Sequence, residues 1–268
     1  MQNSQSSSDS AQKMPVVFVG HGSPMNAIAN NSYTQMLEKL AAEIPTPKAI
    51  LAVSAHWMTR GTWITAMQAP KTIHDFYGFP EALFQVQYPA PGNPDLAKSI
   101  SELIQVPKIE KDQDSWGLDH GTWAVLKHMY PQANIPVLQL SLDMTQVPEF
   151  HFALGKKLAI LREQGVLILG SGNLIHNLRI LNWDEKAAPF VWAQDFSNWL
   201  KDKLNKKDFL PLVKDFHDVE GGKLSIPTLE HYLPALYVLG AFQENEEVQI
   251  DFDEIQNSSI SMLSFRSR

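Results

Sequence analysis

The chain has 268 residues, of which 44% are hydrophobic and 10% aromatic, so it is long and apolar enough to bury a large core. It contains no cysteine, which excludes disulfides, thiolate metal ligands and a cysteine nucleophile. Its formal charge of -7 argues against nucleic acid, whose binding proteins concentrate lysine and arginine on one face, and a small molecule is the expected partner.

The first thirteen residues, MQNSQSSSDSAQK, lack the basic segment and the apolar run of a signal peptide. They are predicted to form a disordered polar tail, followed by one domain over residues 14–268. No apolar run approaches the roughly 20 residues that a membrane-spanning helix requires. We therefore expect no membrane association and a cytoplasmic protein.

Short apolar segments alternate with helical patterns along the domain. Strands are predicted at 15–19, 49–54, 136–141 and 166–170, and helices at 33–44, 95–105, 121–129 and 149–163. This alternation predicts an α/β fold with a central parallel or mixed sheet flanked by helices. Two of the strands, AILAVS and VLILGS, are apolar throughout, which is typical of strands buried on both faces.

Residues 59–94 interrupt the alternation. They are rich in threonine, proline, glycine and aromatic residues, and they predict a small β-rich insertion that walls a pocket. Helices are then predicted at 186–204 and 228–242, with Thr228 as the N-cap of the second. Two strand-like runs, 247–252 and 259–265, are expected at the sheet edge.

Three histidines, His21, His56 and His176, come shortly after predicted strands. Ligands of α/β sheets bind beyond the carboxyl ends of the strands, so these imidazoles are expected to converge. Neutral imidazole is a common metal ligand, and the point of convergence is a predicted metal site. Any one such histidine alone is more often a hydrogen-bonded loop residue. Gly20 and Gly22 flank His21 and permit a sharp turn there.

Two more histidines are candidates for chemistry. His120, in WGLDHGTW, opens a predicted helix, where the helix dipole favours the neutral imidazole that a base requires. A packed histidine in an aromatic corner is an equally good interpretation. His231, in PTLEHYLP, lies one turn into the predicted helix 228–242 and beside Glu230. Adjacent helical positions point about 100° apart, so only one of the two can face a given metal.

Six motifs, taken together and in order, resemble those of one known family. They are VGHGSPMNAI, SAHW, HDFYGFP, WGLDHGTW, GSGNLIHNL and PTLEHYLP. Over residues 14–265 the chain is similar to the class III (LigB-type) extradiol ring-cleavage dioxygenases, in the 4,5-DOPA dioxygenase-like branch. The resemblance implies an α/β fold with one non-haem metal at the C-terminal edge of the sheet. It also implies an enzyme that uses O2 to open a catechol ring beside its two hydroxyls.

The resemblance implies roles for individual residues. His21, His56 and His231 match metal-binding positions. His176 matches a further active-site histidine, which contacts the metal or serves as acid and base, and His120 matches another pocket histidine. His176 is therefore a candidate both as a fourth metal ligand and, with His120, as a catalytic residue.

The third metal position is open between Glu230 and His231. Many class III enzymes place a carboxylate there, which completes the two-histidine, one-carboxylate face of Fe(II) oxygenases, whereas the DOPA-like branch uses the histidine. The resemblance implies one divalent metal, Fe(II) in the active enzyme, and a histidine-rich site that also accepts Zn(II) in a crystal. Catechol and O2 are the expected partners of a monomer or small homo-oligomer.

Two other functions stay open at this point. A fold does not determine a function, so the same scaffold suits a non-enzymatic metal- or peptide-binding protein. Three histidines and a water also suffice for a zinc-dependent hydrolase. The presence of His120 and His176 beside the metal histidines favours the dioxygenase, because a binding protein needs no proton-transfer group.

Overall fold

The structure, a computed structural model, describes residues 13–268. The strands are β1 (Val16–Gly20), β2 (Ala49–Thr59), β3 (Thr62–Thr65), β4 (Ile109–Asp112), β5 (Val137–Asp143), β6 (Val166–Gly172), β7 (Val248–Phe252), β8 (Ile255–Gln256), β9 (Ile260–Ser261) and β10 (Ser264–Ser267). The helices are α1 (Ser32–Glu43), α2 (Glu81–Phe84), α3 (Pro94–Leu103), α4 (His120–Met129), α5 (Pro148–Leu158), α6 (Val191–Asn205), α7 (Phe209–Lys214), α8 (Gly222–Ser225) and α9 (Leu233–Ala241). The polar tail predicted at residues 1–13 lies, except for Lys13, outside the described residues.

Eight strands form a mixed sheet in the order β4-β3-β5-β2-β6-β1-β10-β7, and β8 pairs with β9 in a separate ribbon. The four central strands, β5, β2, β6 and β1, run parallel. β3 is antiparallel to β5, and β10 is antiparallel to both of its neighbours. The α/β prediction is confirmed, and the carboxyl ends of the central strands share one edge of the sheet.

Helices cover both faces of the sheet. α5 and α9 pack together on one face, where α9 contacts β6 and β1, while α1 and α4 pack together on the other. Successive residues of β1 enter opposite layers, Phe18 in the α9 layer and Val17 in the α4 layer. Burial on both faces is the reason that the central strands are apolar throughout.

Within residues 13–268, no helix combines the length and the apolarity needed to cross a membrane.

Strand β2 is longer than predicted. It continues to Thr59, so His56 lies within the strand instead of after it. The pairing of β2 with β5 shifts register between Val53 and Met58. This irregularity lets the strand continue beyond its apolar run, whose end had indicated a boundary at residue 54.

Helix α9 begins later than predicted. It starts at Leu233, so His231 precedes the helix and does not lie one turn inside it. Pro234 has no N–H to donate to the carbonyl of Glu230 and is tolerated only in the first helical turn, which sets this start. The Thr228 hydroxyl donates to the Glu230 carboxylate at 2.8 Å and caps no helix.

Residues 59–94 contain less β-structure than expected. β3 joins the main sheet between β4 and β5, and the remainder is loop apart from α2. This stretch is rich in proline, which cannot donate to a β-ladder. At the chain end, β10 lies between β1 and β7, so only β7 of the predicted terminal pair is at the edge.

Candidate metal centre and active site

Four imidazoles meet at the carboxyl ends of the central strands. His21 follows β1, His56 belongs to β2, His120 is the first residue of α4, and His231 precedes α9. The ring centroid of His21 lies 5.0 Å from that of His56, 5.5 Å from that of His120 and 5.3 Å from that of His231. The structure therefore brings these four predicted site residues together, although they come from distant parts of the chain.

The ring of His21 is oriented by β6. Its Nδ1 lies 2.9 Å from Ser171 Oγ, and this hydroxyl donates to the Gly121 carbonyl at 2.5 Å. The hydroxyl has one proton, so toward His21 it accepts, and His21 donates from Nδ1. The Nε2 lone pair of His21 then faces Nε2 of His56 at 3.2 Å. Gly22 follows with a φ of +61°, which the predicted turn requires.

His56 and His231 have the same arrangement. Nδ1 of His56 is 3.3 Å from Asp75 Oδ2, and Nδ1 of His231 is 3.2 Å from Glu230 Oε1. Glu230 accepts a hydrogen bond from Nδ1 of His231, and the Asp75 carboxylate beside Nδ1 of His56 favours the tautomer with its proton on that side, so Nε2 is left as the ligand atom of each ring. Metal-ligating histidines generally donate their other ring N–H to such an acceptor, so this donor set fits a metal ion.

The three rings can hold a divalent cation together. His21, His56 and His231 each offer a ligand atom within 4.8 Å of the other two. Burial, followed by the proximity of the other histidines, holds the pKa of His21 and of His231 well below 6.5. Burial, with a further contribution from His120, lowers the pKa of His56 to about 3. The rings are thus neutral at neutral pH, as coordination requires.

Glu230 and His231 lie differently with respect to the other histidines. Among the described residues, the possible ligand atoms of His21 and His56 group with that of His231 and not with those of Glu230. The Glu230 carboxylate lies on the Nδ1 side of His231. It accepts hydrogen bonds from that Nδ1 and from the hydroxyl of Thr228. Glu230 therefore orients the imidazole, while the imidazole faces the other two rings.

His176 lies beside this group of three. Its ring stacks on that of His231, with centroids 3.5 Å apart and an interplanar angle of 13°. Its possible ligand atom groups with those of Glu230 and His231, and not with those of His21 and His56. Its backbone N–H donates to the Ser225 carbonyl, which holds the residue in this position. Burial lowers its pKa to about 4. The geometry gives His176 a weaker claim as a fourth ligand than the sequence indicated.

His120 begins α4, as predicted. Its N-cap is Asp119, whose buried carboxylate accepts from the backbone N–H of Thr122 and from the hydroxyl of Ser54. Burial, with a contribution from the charge of Asp75, raises the pKa of Asp119 to about 6. The carboxyl group of Asp119 thus holds the first turn of α4 against β2 and presents His120 to the site.

Asp75 is a residue of the site that the sequence patterns did not predict. Its carboxylate accepts from the backbone N–H and from Nδ1 of His120, both at 2.9 Å. Burial alone would raise the pKa of Asp75, but the hydrogen bonds from His120 and the proximity of the His120 and His56 imidazoles outweigh burial and lower it. The only signal in the sequence was an acidic residue inside the aromatic turn HDFYGFP.

Two glycines permit the close approach of the elements that carry the histidines. A Cβ at Gly121 would lie 2.5 Å from Ser54 Oγ and 3.0 Å from Cδ2 of His56. A Cβ at Gly172 would overlap the His231 carbonyl oxygen. α4 and the turn before α9 can therefore reach the sheet edge only because these positions have no side chain.

An aromatic wall adjoins the imidazoles. The ring of Phe76 stands edge-on to that of His120, with centroids 5.6 Å apart. Phe79 and Phe84 pack against Phe76 at 5.4 and 5.0 Å. The loop between β3 and α2 thus lines the site, as the sequence predicted for this part of the chain.

Comparisons with known proteins identify the family. The family described as the catalytic LigB subunit of aromatic ring-opening dioxygenase matches residues 14–263. A 4,5-DOPA dioxygenase extradiol of Escherichia coli (strain K12) is 48% identical over 258 residues, which cover 95% of each chain. One of Beta vulgaris is 36% identical and covers 93% of this chain and 94% of its own. The crystal structure of an uncharacterized protein of Escherichia coli K12 has a TM-score of 0.83 at 44% identity, covering 94% of this chain and 99% of that one. The chain therefore belongs to the LigB family and is an extradiol ring-opening dioxygenase, as its six motifs predict.

Proposed function

We propose that the protein uses O2 to open the ring of a DOPA-like catechol, with one divalent metal held by His21, His56 and His231. The observation that carries the proposal is the shared arrangement of these rings, each with a hydroxyl or carboxylate oxygen beside Nδ1 and with ligand atoms within 4.8 Å of one another. The relatives named 4,5-DOPA dioxygenase extradiol support the substrate class.

Fe(II) is the metal that we expect in the active enzyme. When bound, it supplies coordination sites for the two catechol oxygens and for O2, and a route for electron density between them. Zn(II) suits the same nitrogen donors and is expected to bind, but it has no redox chemistry. The zinc form should therefore be folded and inactive.

His120 is the proposed general base. Its Nδ1 donates to Asp75, so Nε2 keeps a lone pair that can accept the proton of a catechol hydroxyl and later return it. Its ring centroid is 4.0 Å from that of His56, so the proposed base lies against a proposed metal ligand. General acid and base catalysis of this kind contributes about 10²- to 10⁴-fold in rate. His176, which stacks on His231, is the second candidate for proton transfer.

Oxygen consumption tests the proposed reaction. The apoprotein is loaded anaerobically with Fe(II) and mixed with L-DOPA, or with protocatechuate as a smaller catechol, and air is then admitted. We expect oxygen uptake and a yellow ring-opened semialdehyde, with L-DOPA the better substrate. The zinc-loaded protein is the control. Absence of oxygen uptake with every member of a catechol panel would contradict the proposal.

Metal analysis of single variants tests the division of roles. His21→Ala and His56→Ala should lose the metal, because each removes a proposed ligand. His120→Ala and His176→Ala should keep it and lose most turnover. His128→Ala is a control, since Nε2 of His128 bonds to the Asn26 carbonyl outside the site. Equal metal loss in the first four variants would refute this division.

A further inference from the structure

We propose that Asp75 is a positioning residue that sets the tautomer of two histidines together, the proposed ligand His56 and the proposed base His120. A single carboxylate oxygen, Oδ2, lies 2.9 Å from Nδ1 of His120 and 3.3 Å from Nδ1 of His56. The hydrogen bond to Asp75 holds the proton of His120 on Nδ1, and the carboxylate charge beside Nδ1 of His56 favours the same tautomer there. Both Nε2 atoms are left without a proton. The inference rests on the proposed function, because it concerns the roles of these rings.

The carboxylate cannot rotate freely. Its other oxygen, Oδ1, accepts the backbone N–H of His120 at 2.9 Å. That N–H belongs to the first residue of α4, where backbone N–H groups have no partner within the helix. Oδ1 is therefore held by the first backbone N–H of α4, and Oδ2 is held near Nδ1 of both rings.

The loop that carries Asp75 is held on both sides. Nε2 of His74 donates to the Val86 carbonyl at 2.9 Å. Phe76 packs against Phe84, with ring centroids 5.0 Å apart. The side chain of Asp75 is itself only 15% exposed. These contacts give the carboxylate the fixed position that orienting two rings requires.

The geometry makes a specific prediction for the isosteric variant Asp75→Asn. The backbone N–H of His120 can only donate, so the amide oxygen of Asn must take the place of Oδ1. The amide NH2 then faces both imidazoles, and each Nδ1 must become an acceptor. Both ring protons move to Nε2. The change removes the lone pair of the base and blocks a metal ligand without changing the size of the side chain.

Nitrogen NMR reads this change without any activity measurement. Full-length apoprotein is labelled with ¹⁵N-histidine, and long-range ¹H–¹⁵N spectra distinguish Nδ1–H from Nε2–H rings. Signals are assigned with His56→Gln and His120→Gln. In the wild type we expect both rings as Nδ1–H, and in Asp75→Asn both as Nε2–H. Asp75→Glu keeps a carboxylate and should retain Nδ1–H, while Asp114→Asn, at an exposed loop residue, should leave every ring unchanged.

Kinetics and metal binding complete the test. Asp75→Asn should bind Zn(II) about 10- to 100-fold more weakly. Its kcat should fall by about 10²-fold or more, with a much smaller change in KM. Asp75→Glu should recover part of both losses.

Two outcomes overturn the inference: unchanged tautomers in Asp75→Asn, or inverted tautomers with wild-type metal affinity and kcat. The spectra come from apoprotein, so the tautomer measurement does not depend on turnover. A wild-type enzyme that consumes no oxygen with any catechol would instead refute the proposed function, and the inverted tautomers would still support the positioning role of Asp75.

Discussion

Ser171→Ala should remove the hydroxyl that links the ring of His21 to the backbone of α4. Ser171 Oγ accepts from Nδ1 of His21 at 2.9 Å and donates to the Gly121 carbonyl at 2.5 Å. His21 and Ser171 are buried, so the variant leaves the Nδ1–H of His21 without a partner, while the Gly121 carbonyl, which lies within α4, keeps the hydrogen bond that the helix provides. A buried donor that loses its partner costs about 1–3 kcal/mol. We expect the free energy of unfolding of the apoprotein to fall by about 1–3 kcal/mol.

The same variant should weaken metal binding. Without Ser171, the ring of His21 is free to rotate and to carry its proton on Nε2, the atom that faces His56. Loss of such a partner typically reduces metal affinity about 10- to 100-fold. This corresponds to about 1.4–2.8 kcal/mol, at about 1.4 kcal/mol for each tenfold change.

Two assays separate these effects. Competition with a chelating indicator measures Zn(II) affinity, and urea unfolding of the apoprotein measures stability. Ser197→Ala, at a buried serine on α6, is the control and should bind zinc as the wild type does. If Ser171→Ala were destabilised but bound zinc with wild-type affinity, the hydroxyl would not orient His21. If neither quantity changed, the hydrogen-bond reasoning would be wrong.

Three further variants test other parts of the structure. Gly121→Ala places a Cβ 2.5 Å from Ser54 Oγ, so metal content and kcat should fall while the helical circular dichroism is unchanged; full metal content would contradict the close approach. Glu246→Gln breaks the buried ion pair with Arg162 and should cost about 3–5 kcal/mol at neutral pH. The hydrogen bonds from Arg162 and Lys13 outweigh burial and lower the pKa of Glu246 below 4.5, so its stabilising effect is complete above that value and is lost as pH falls through the lowered pKa. Urea unfolding should therefore show the gap between variant and wild type shrinking at low pH, and a constant gap would refute this. Phe76→Leu should raise the KM for catechol several-fold with little change in kcat, since an aromatic contact contributes about 0.5–1.5 kcal/mol; an unchanged KM would remove Phe76 from the substrate wall.

The main lines of the fold could be predicted because they depend on local patterns. Apolar segments buried on both faces predicted the central strands, and their alternation with helical patterns predicted the layers. The boundaries that were wrong depended on non-local features. Strand β2 continues beyond residue 54 because its pairing with β5 shifts register there. Helix α9 begins only at Leu233 because Pro234 is tolerated in the first turn of a helix and not further inside it.

The sequence by itself determined which chemistry is available and where it lies. Without cysteine, any metal must be bound by nitrogen and oxygen, and histidines near strand ends in an α/β fold had to lie at one edge. Six motifs in order determined the family. These conclusions need only residue identity and the common direction of the parallel strands.

Only the tertiary structure decided which nitrogen of each ring is free and which residues assist it. Asp75 meets His120, 45 positions away, and Ser171 meets His21, 150 positions away. Such contacts depend on the path of a loop and on the register of neighbouring strands, to within the length of a hydrogen bond. Local sequence patterns do not encode distances of that kind, so the histidines could be predicted from the sequence and the acceptors that orient them could not.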